Sequence, residues 1–295
     1  MSRIAYVDGL YVPHGEAAIA IEDRGFQFSD GVYEVCLVLE GRILDEEAHL
    51  ARLARSLAAL RIAPPMSDEA LRIAMAQMVA RNRLRHATLY MQVTRGVARR
   101  DHPFPNPAPR PTLVMTMQRF DPQALIARQD RGVFAVSMPD LRWRRCDIKS
   151  VSLLGNVLAK QTAREAGAFE ALMTDDQGRI TEGASTSVFM VDGSGRLLGR
   201  ALGPEILPGI TRAVLMEIIA AEAIETIETP FTLDEARAAR ELFLASTTSG
   251  ITPVTRLDGT AIGDGTPGPL TRRLISCHRR HMTHETGYAF PATSS

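Results

Sequence analysis

Strand-like and helix-like stretches alternate along this chain, and the series restarts once, at Asp121-Pro122. That restart constrains the fold more than any single motif. It divides 295 residues, a length at which one core stops growing, into two mixed α and β halves. In the first half, Asp8-Gly9 joins two short apolar runs and predicts a hairpin, because Asp-Gly accepts the positive φ of tight turns. A strand follows over residues 32–39, and Gly41 turns the chain into a shorter one at 42–44. Leu50, Leu53, Leu57 and Leu60 then recur at helical spacing over 46–61. Pro64-Pro65 break this helix, and Ser67 caps a second one reaching 83, with Asp68 and Glu69 at its positive end. Strands at 88–94 and 112–118 flank a proline-rich loop.

In the second half, strands are expected near 133–137, 170–174, 187–191, 225–228 and 242–246. Helices are expected near 151–166, 211–223, 233–240 and 269–281, and Thr232 with Glu235 forms a capping-box pattern before the third. The organisation expected is a smaller α/β domain over 1–121, a larger domain over 122–283, and a flexible tail over 284–295.

Charge narrows the partners. Thirty-four basic and thirty-four acidic residues cancel, and no run of like charge suggests a nucleic-acid arm or a membrane-binding patch, so a small molecule is the expected partner. Cys36, Cys146 and Cys277 show no CxxC spacing, which argues against a disulfide framework or a metal site and for a cytoplasmic location. No signal-like or membrane-spanning apolar run is present, so a soluble, unprocessed protein is expected.

The basic residues are lopsided: two lysines, Lys149 and Lys160, stand against thirty-two arginines. A guanidinium stays protonated and cannot form imines or shuttle protons, so a retained lysine points to amine chemistry. A compositional bias toward arginine explains the same scarcity until the neighbours are read. Lys160, beside Gln161 and Arg164, reads as part of a solvated helical face. Lys149 lies in Cys146-Asp147-Ile148-Lys149-Ser150, between an extended stretch and a helix, where sites are commonly built.

Three further pieces follow. Thr181-Glu182-Gly183 brings a carboxylate that, alone, belongs to an ordinary polar turn. Leu207-Pro208-Gly209-Ile210-Thr211-Arg212 runs directly into a helix, whose first N–H groups lack intrahelical acceptors. Ser246-Thr247-Thr248-Ser249-Gly250 is a second hydroxyl-rich turn. An amine, an acid and two anion-binding turns match pyridoxal 5′-phosphate (PLP). There is no GxGxxG after a strand and no GxxxxGK[ST], so dinucleotide and P-loop readings lose their main support.

With these residues in order, and with Glu22-Asp23-Arg24-Gly25-Phe26-Gln27-Phe28-Ser29-Asp30-Gly31-Val32-Tyr33-Glu34-Val35 and His49-Leu50-Ala51-Arg52-Leu53 before them, the chain resembles the fold-type IV PLP aminotransferases over nearly its whole length. Within that family it is most similar to the bacterial D-amino acid aminotransferases. The resemblance implies a two-domain fold with the cofactor between the domains, Lys149 as the Schiff-base lysine, and Glu182 at the pyridine nitrogen. It places Arg52, Ile210, Thr211 and Thr247 at the phosphate and Leu207 against the ring face. Read alone, Arg52 is a helix-surface residue. The resemblance further implies that Tyr33, Arg100 and His102 hold the substrate α-carboxylate, on a loop that otherwise reads as exposed and basic, and that the protein is a homodimer with this loop crossing the interface.

Two departures bear on the substrate. Leu37 stands where a relative has a basic side chain, which is expected to disfavour acidic substrates, and Ala184 replaces a hydroxyl residue. The implied reaction is ping-pong transamination between D-amino acids such as D-alanine and 2-oxo acids such as 2-oxoglutarate. The alternatives are a branched-chain L-amino acid aminotransferase, an aminodeoxychorismate lyase of the same fold, or a catalytically silent binding protein that kept the fold.

Overall fold

The computed structural model describes residues 3–291. The chain forms two compact units: the first takes the residues up to Asp121 together with Ile148–Ser152 and Glu285–Tyr288, and the second takes the remainder.

In the first unit, strands β1 (Ile4–Val7), β2 (Leu10–Pro13), β3 (Gly31–Leu39), β4 (Arg42–Ile43), β5 (Ala87–Thr94) and β6 (Thr112–Arg119) form a sheet in the order β2-β1-β6-β5-β3-β4. Neighbours pair antiparallel throughout. Helix α1 (Arg24–Phe28) precedes β3, and α2 (Glu46–Ala59) and α3 (Asp68–Asn82) separate β4 from β5. Alternation decides the faces of β3. Val32, Cys36 and Val38 join Leu50, Leu53 and Leu57 of α2 and Met75 and Met78 of α3 in one core, while Tyr33, Val35 and Leu37 point to the other side. Ser67 caps α3 by accepting from the Ala70 N–H at 3.3 Å.

The returning segment Ile148–Ser152 uses the edge of β3 that the two-residue β4 leaves open. Tyr33 N–H donates to Lys149 O at 3.0 Å, Val151 N–H donates to Gly31 O at 3.1 Å, and Val32 bridges Ser150. Lys149 is therefore fastened to the first unit, although its sequence position lies past the Asp121-Pro122 joint.

The second unit opens with α4 (Pro122–Arg131), absent from the sequence expectations, and continues through β7 (Val133–Pro139), α5 (Leu154–Glu165), β8 (Glu170–Thr174), β9 (Ile180–Gly183), β10 (Ser187–Val191) and β11 (Leu197–Gly199). Then follow α6 (Ile210–Ala221), β12 (Thr226–Glu228), α7 (Leu233–Arg237), β13 (Glu241–Ser246), β14 (Gly250–Leu257), β15 (Thr260–Ala261) and α8 (Pro269–Thr286). The strands form one mixed sheet in the order β12-β11-β10-β13-β14-β7-β8-β9, with β15 on β14. Both faces are covered. Phe243 and Ala245 pack with Leu215 and Ile219 of α6 and Leu274 and Ile275 of α8, whereas Leu242 and Leu244 pack with Phe231 and Ala236 near α7.

The segment read as a flexible tail from 284 begins inside α8. Thr286 is buried, and the Tyr288 ring stands edge-on to His86 at 5.2 Å. The last four residues of that segment lie outside the described residues.

Candidate functional site

The first unit assembles Lys149, Tyr33 and Arg52. The Lys149 amine lies 4.2 Å from the centroid of the Tyr33 ring, and the Lys149 N–H donates to Ser56 Oγ at 3.3 Å. Ser56 is one turn beyond Arg52 on α2, which puts both on the same helix face. Arg52 is not the surface residue that its isolated position suggests; it is 3% exposed. Its Nε and Nη2 each donate at 2.8 Å to Glu34, whose carboxylate also holds His49 Nδ1 at 2.7 Å. Burial alone would raise the Glu34 carboxyl, but the hydrogen bonds from Arg52 and His49 outweigh it and pull the pKa down to about 2. Glu34 thus fixes the guanidinium between helix and sheet. A lone carboxylate in the run Val32-Tyr33-Glu34-Val35-Cys36, on the core face by alternation, was the available sequence signal.

On the opposite face of β3, Tyr90 is a second aromatic group. It pairs with Val35 across the ladder, stacks on Tyr33 at 5.7 Å, and donates its hydroxyl to Gln92 Oε1 at 2.6 Å. Burial pushes the phenol up to about 12, so it remains a neutral donor. Leu37, expected to shape side-chain preference, has no exposed surface.

Arg100 and His102 are exposed and sit on the loop after β5. Their contacts among the described residues run to Phe28 rather than to Tyr33: the Arg100 guanidinium is 5.1 Å from the Phe28 centroid and the His102 ring 5.4 Å.

The second unit assembles Glu182, Leu207, Ile210, Thr211 and Thr247. Glu182 lies on β9, in a fully buried strand rather than the polar turn its local sequence suggests. One oxygen pairs with Arg142 Nη1, and the other accepts the Leu207 N–H at 3.2 Å. Burial pushes the Glu182 carboxyl above its usual range, while Arg142 and the Leu207 N–H oppose that rise. Arg142 is braced in turn by Asp140, through Nε at 2.9 Å and Nη2 at 2.6 Å, and Asp140 accepts from Thr181 Oγ1 at 2.7 Å. The sequence reading missed Arg142. Its signal was the Asp140-Leu141-Arg142 pairing just before the lysine stretch.

Leu207 leads to Gly209, the N-cap of the twelve-residue α6, which has no side chain to accept from the first-turn N–H groups. A Cβ on Gly209 would lie 3.1 Å from Ser187 Oγ. Ser187 pairs with Ala245 across the ladder, so the start of α6 lies beside the turn that carries Thr247. That turn is held by the Ser246 and Ser249 hydroxyls at 2.7 Å. The donor set fits PLP: uncapped helix N–H groups and a hydroxyl for phosphate, and a buried carboxylate braced by arginine for a protonated ring nitrogen.

Lys160 departs from expectation. It is partly exposed, yet its amine pairs at 2.8 Å with Glu170, which has no exposed surface. Glu170 also accepts from Ser185 Oγ at 3.1 Å and Thr186 Oγ1 at 3.2 Å, so it holds the turn that follows Glu182. Ala184 packs in that turn with Ala159, Ala163 and Ala171.

Comparison with known proteins decides the family. The profile described as Amino-transferase class IV matches residues 31–257. The chain belongs to the class IV aminotransferases. It is 38% identical over 279 residues to a D-alanine aminotransferase of Bacillus licheniformis, covering 95% of this chain and 97% of that one. A D-alanine aminotransferase of Staphylococcus haemolyticus is 35% identical, with 91% and 94% covered. Among solved structures, the branched-chain amino acid aminotransferase of Escherichia coli superposes with a TM-score of 0.88 at 22% identity, covering 97% and 96%, a likeness of fold. The branched-chain aminotransferase of the thermophilic archaeon Thermoproteus uzoniensis, solved with norvaline, gives 0.82 at 25% identity, covering 95% and 94%.

Proposed function

We propose that this class IV aminotransferase moves amino groups between D-amino acids such as D-alanine and 2-oxo acids such as 2-oxoglutarate, in two alternating half-reactions. The observation that carries this reading is the Arg100–His102 pair, two donors brought to one aromatic ring on an exposed loop and suited to the lone pairs of an α-carboxylate. Identity of 35–38% to D-alanine aminotransferases supports it, against 22–25% to the branched-chain structures. The L-specific branched-chain reading has the likeness of fold alone.

PLP is the cofactor, and when bound it supplies an electrophilic carbon for the substrate amine and an electron sink for the bond broken at Cα. Lys149 would anchor it, and its amine would take the substrate Cα proton and hold it for return. Arg52, Ile210, Thr211 and Thr247 would hold the phosphate. Glu182, braced by Arg142, would offer its remaining lone pairs to the ring nitrogen, and Leu207 would pack against the ring. Tyr33, Arg100 and His102 hold the carboxylate and so set which substrate face meets Lys149.

The working form proposed is a homodimer. Ile21, Phe26 and Val97 are 80%, 71% and 44% exposed on segments joined by the Asp23–Val97 bridge, and Leu154, Val157 and Leu158 form an exposed apolar stripe on α5. A second copy would cover such surfaces. The buried free thiols of Cys36, Cys146 and Cys277 support a reducing, cytoplasmic location, and no helix among the described residues is long and apolar enough to cross a membrane.

Mixing the cofactor-loaded protein with single amino acids tests the reading. D-Alanine is expected to discharge the visible absorbance of the loaded cofactor within one turnover and L-alanine to leave it unchanged. Discharge by L-leucine with D-alanine inert would replace this reading with the branched-chain one.

A further inference from the structure

Phe28 is placed where neither core packing nor cofactor chemistry accounts for it. It is partly exposed, stands outside the hydrophobic core of the first unit, and ends the short helix α1. Yet three polar side chains converge on its ring: the guanidinium of Arg24 at 4.8 Å, that of Arg100 at 5.1 Å, and the tilted imidazole of His102 at 5.4 Å. Arg24 also grips the loop backbone. Its Nη1 donates to Asp101 O at 2.6 Å and its Nη2 to His102 O at 3.2 Å, while Nε donates to Asp30 Oδ2 at 2.8 Å.

Helix α1 itself is firmly seated. Asp23 caps it by accepting from the Gly25 N–H at 2.8 Å and ties it to β5 by accepting from Thr94 Oγ1, also at 2.8 Å. A Cβ on Gly25 would fall 2.2 Å from Thr94 Cγ2, so the helix lies directly on the strand end. The ring is thus a fixed point on a braced element, and the loop is draped over it.

We propose that Phe28 is the positioning residue of the carboxylate clamp: its ring fixes where Arg100 and His102 converge, while Arg24 holds the backbone that carries them. This rests on the reading that Arg100 and His102 bind the substrate carboxylate. A flexible loop that presents two donors loses affinity to the entropy of ordering them. The Phe28 ring offsets this, since its negative face attracts the Arg100 guanidinium and its contact with the His102 ring limits the positions the loop samples.

The test compares wild type, Phe28→Leu, Phe28→Tyr, Arg100→Ala and the double variant Phe28→Leu/Arg100→Ala, each loaded with cofactor. Calorimetric binding of propionate, a carboxylate without an amine, reports the clamp apart from catalysis. Phe28→Leu is expected to weaken propionate binding about three- to tenfold and to raise KM for D-alanine by more than it lowers kcat. Phe28→Tyr should retain the affinity, and the double variant should bind no more weakly than Arg100→Ala. Wild-type propionate affinity in Phe28→Leu, or additive losses in the double variant, would overturn the positioning role. Unchanged affinity in Arg100→Ala would instead remove the clamp itself. If Phe28→Leu does not load cofactor, Phe28→Met keeps the bulk, drops the ring and carries the same comparison.

Discussion

At position 149 an arginine would keep the positive charge and the contact with the Tyr33 ring but lose the amine. Lys149→Arg is accordingly expected to lower turnover of D-alanine with 2-oxoglutarate by about 10^3-fold or more, measured by steady-state release of pyruvate. Undiminished turnover would exclude Lys149 from the chemistry. Glu34 has a different role, readable as stability. Its carboxyl titrates near 2 in the folded chain against 4.5 ordinarily. At and above pH 4.5 its contribution is present, and between about 4.5 and 2 it is lost, because the unfolded chain takes up the proton first. A shift of that size corresponds to about 3 kcal/mol. Glu34→Gln should therefore unfold at lower urea concentration near neutral pH, with the gap from wild type closing as the pH falls toward about 2; a constant gap would separate Glu34 from the acid transition. Lys149 stood out because lysine is rare here, whereas Glu182, read alone as part of a polar turn, was singled out only through the family resemblance. Arg142 was hidden among thirty-two arginines, and the Lys160–Glu170 pair joins a helix to a strand, which spacing along either element does not reveal.

Elements with a strong period were legible. The strands β3, β5 and β6 and the helices α2 and α3 lie within a residue or two of expectation, because alternation and the Leu50-Leu53-Leu57 spacing report burial on one face. The others had a physical reason to escape. Helix α1 has five residues, too few for a period, and α4 starts on the proline that served as a joint. Strand β14 carries Pro253, a residue that normally argues against a central strand; its ladder to β7 begins only at Val254, so the missing N–H falls outside that pairing. Turn geometry yields a prediction at this scale. Gly96, at the head of the clamp loop, has φ +102°, and a Cβ there would fall 2.0 Å from Arg110 O and 3.0 Å from Arg110 C. Both obstructing atoms are backbone, so no side-chain rotation relieves them. Gly96→Ala is expected to cost about 1–3 kcal/mol and to raise KM for D-alanine, checked by thermal unfolding alongside kinetics. Wild-type stability would mean that the loop can part from Arg110 freely.

For the whole molecule, the division of labour between units matters more than the boundary at Asp121. The chain returns through Ile148–Ser152 to fasten Lys149 beside Tyr33 in the first unit, whereas Glu182, Leu207 and the two turns proposed for the phosphate belong to the second. Neither unit alone carries the full donor set proposed for PLP. The proposed clamp adds a further division, because the Arg100 and His102 side chains contact Phe28. If the exposed apolar surfaces pair two copies, the loop of one chain can serve Lys149 of the other. Complementation then follows from counting. Lys149→Arg and Arg100→Ala homodimers would each be poorly active at low D-alanine. A mixed dimer of the two contains one site with both the amine and the guanidinium intact. Unfolding and refolding an equimolar mixture should place half of the chains in mixed dimers, half of whose sites are whole, and so recover about a quarter of wild-type activity. Refolding each variant alone should leave its activity as low as before. Activity no greater than the sum of the separate variants, with mixed dimers present by mass, would show that each loop serves its own chain.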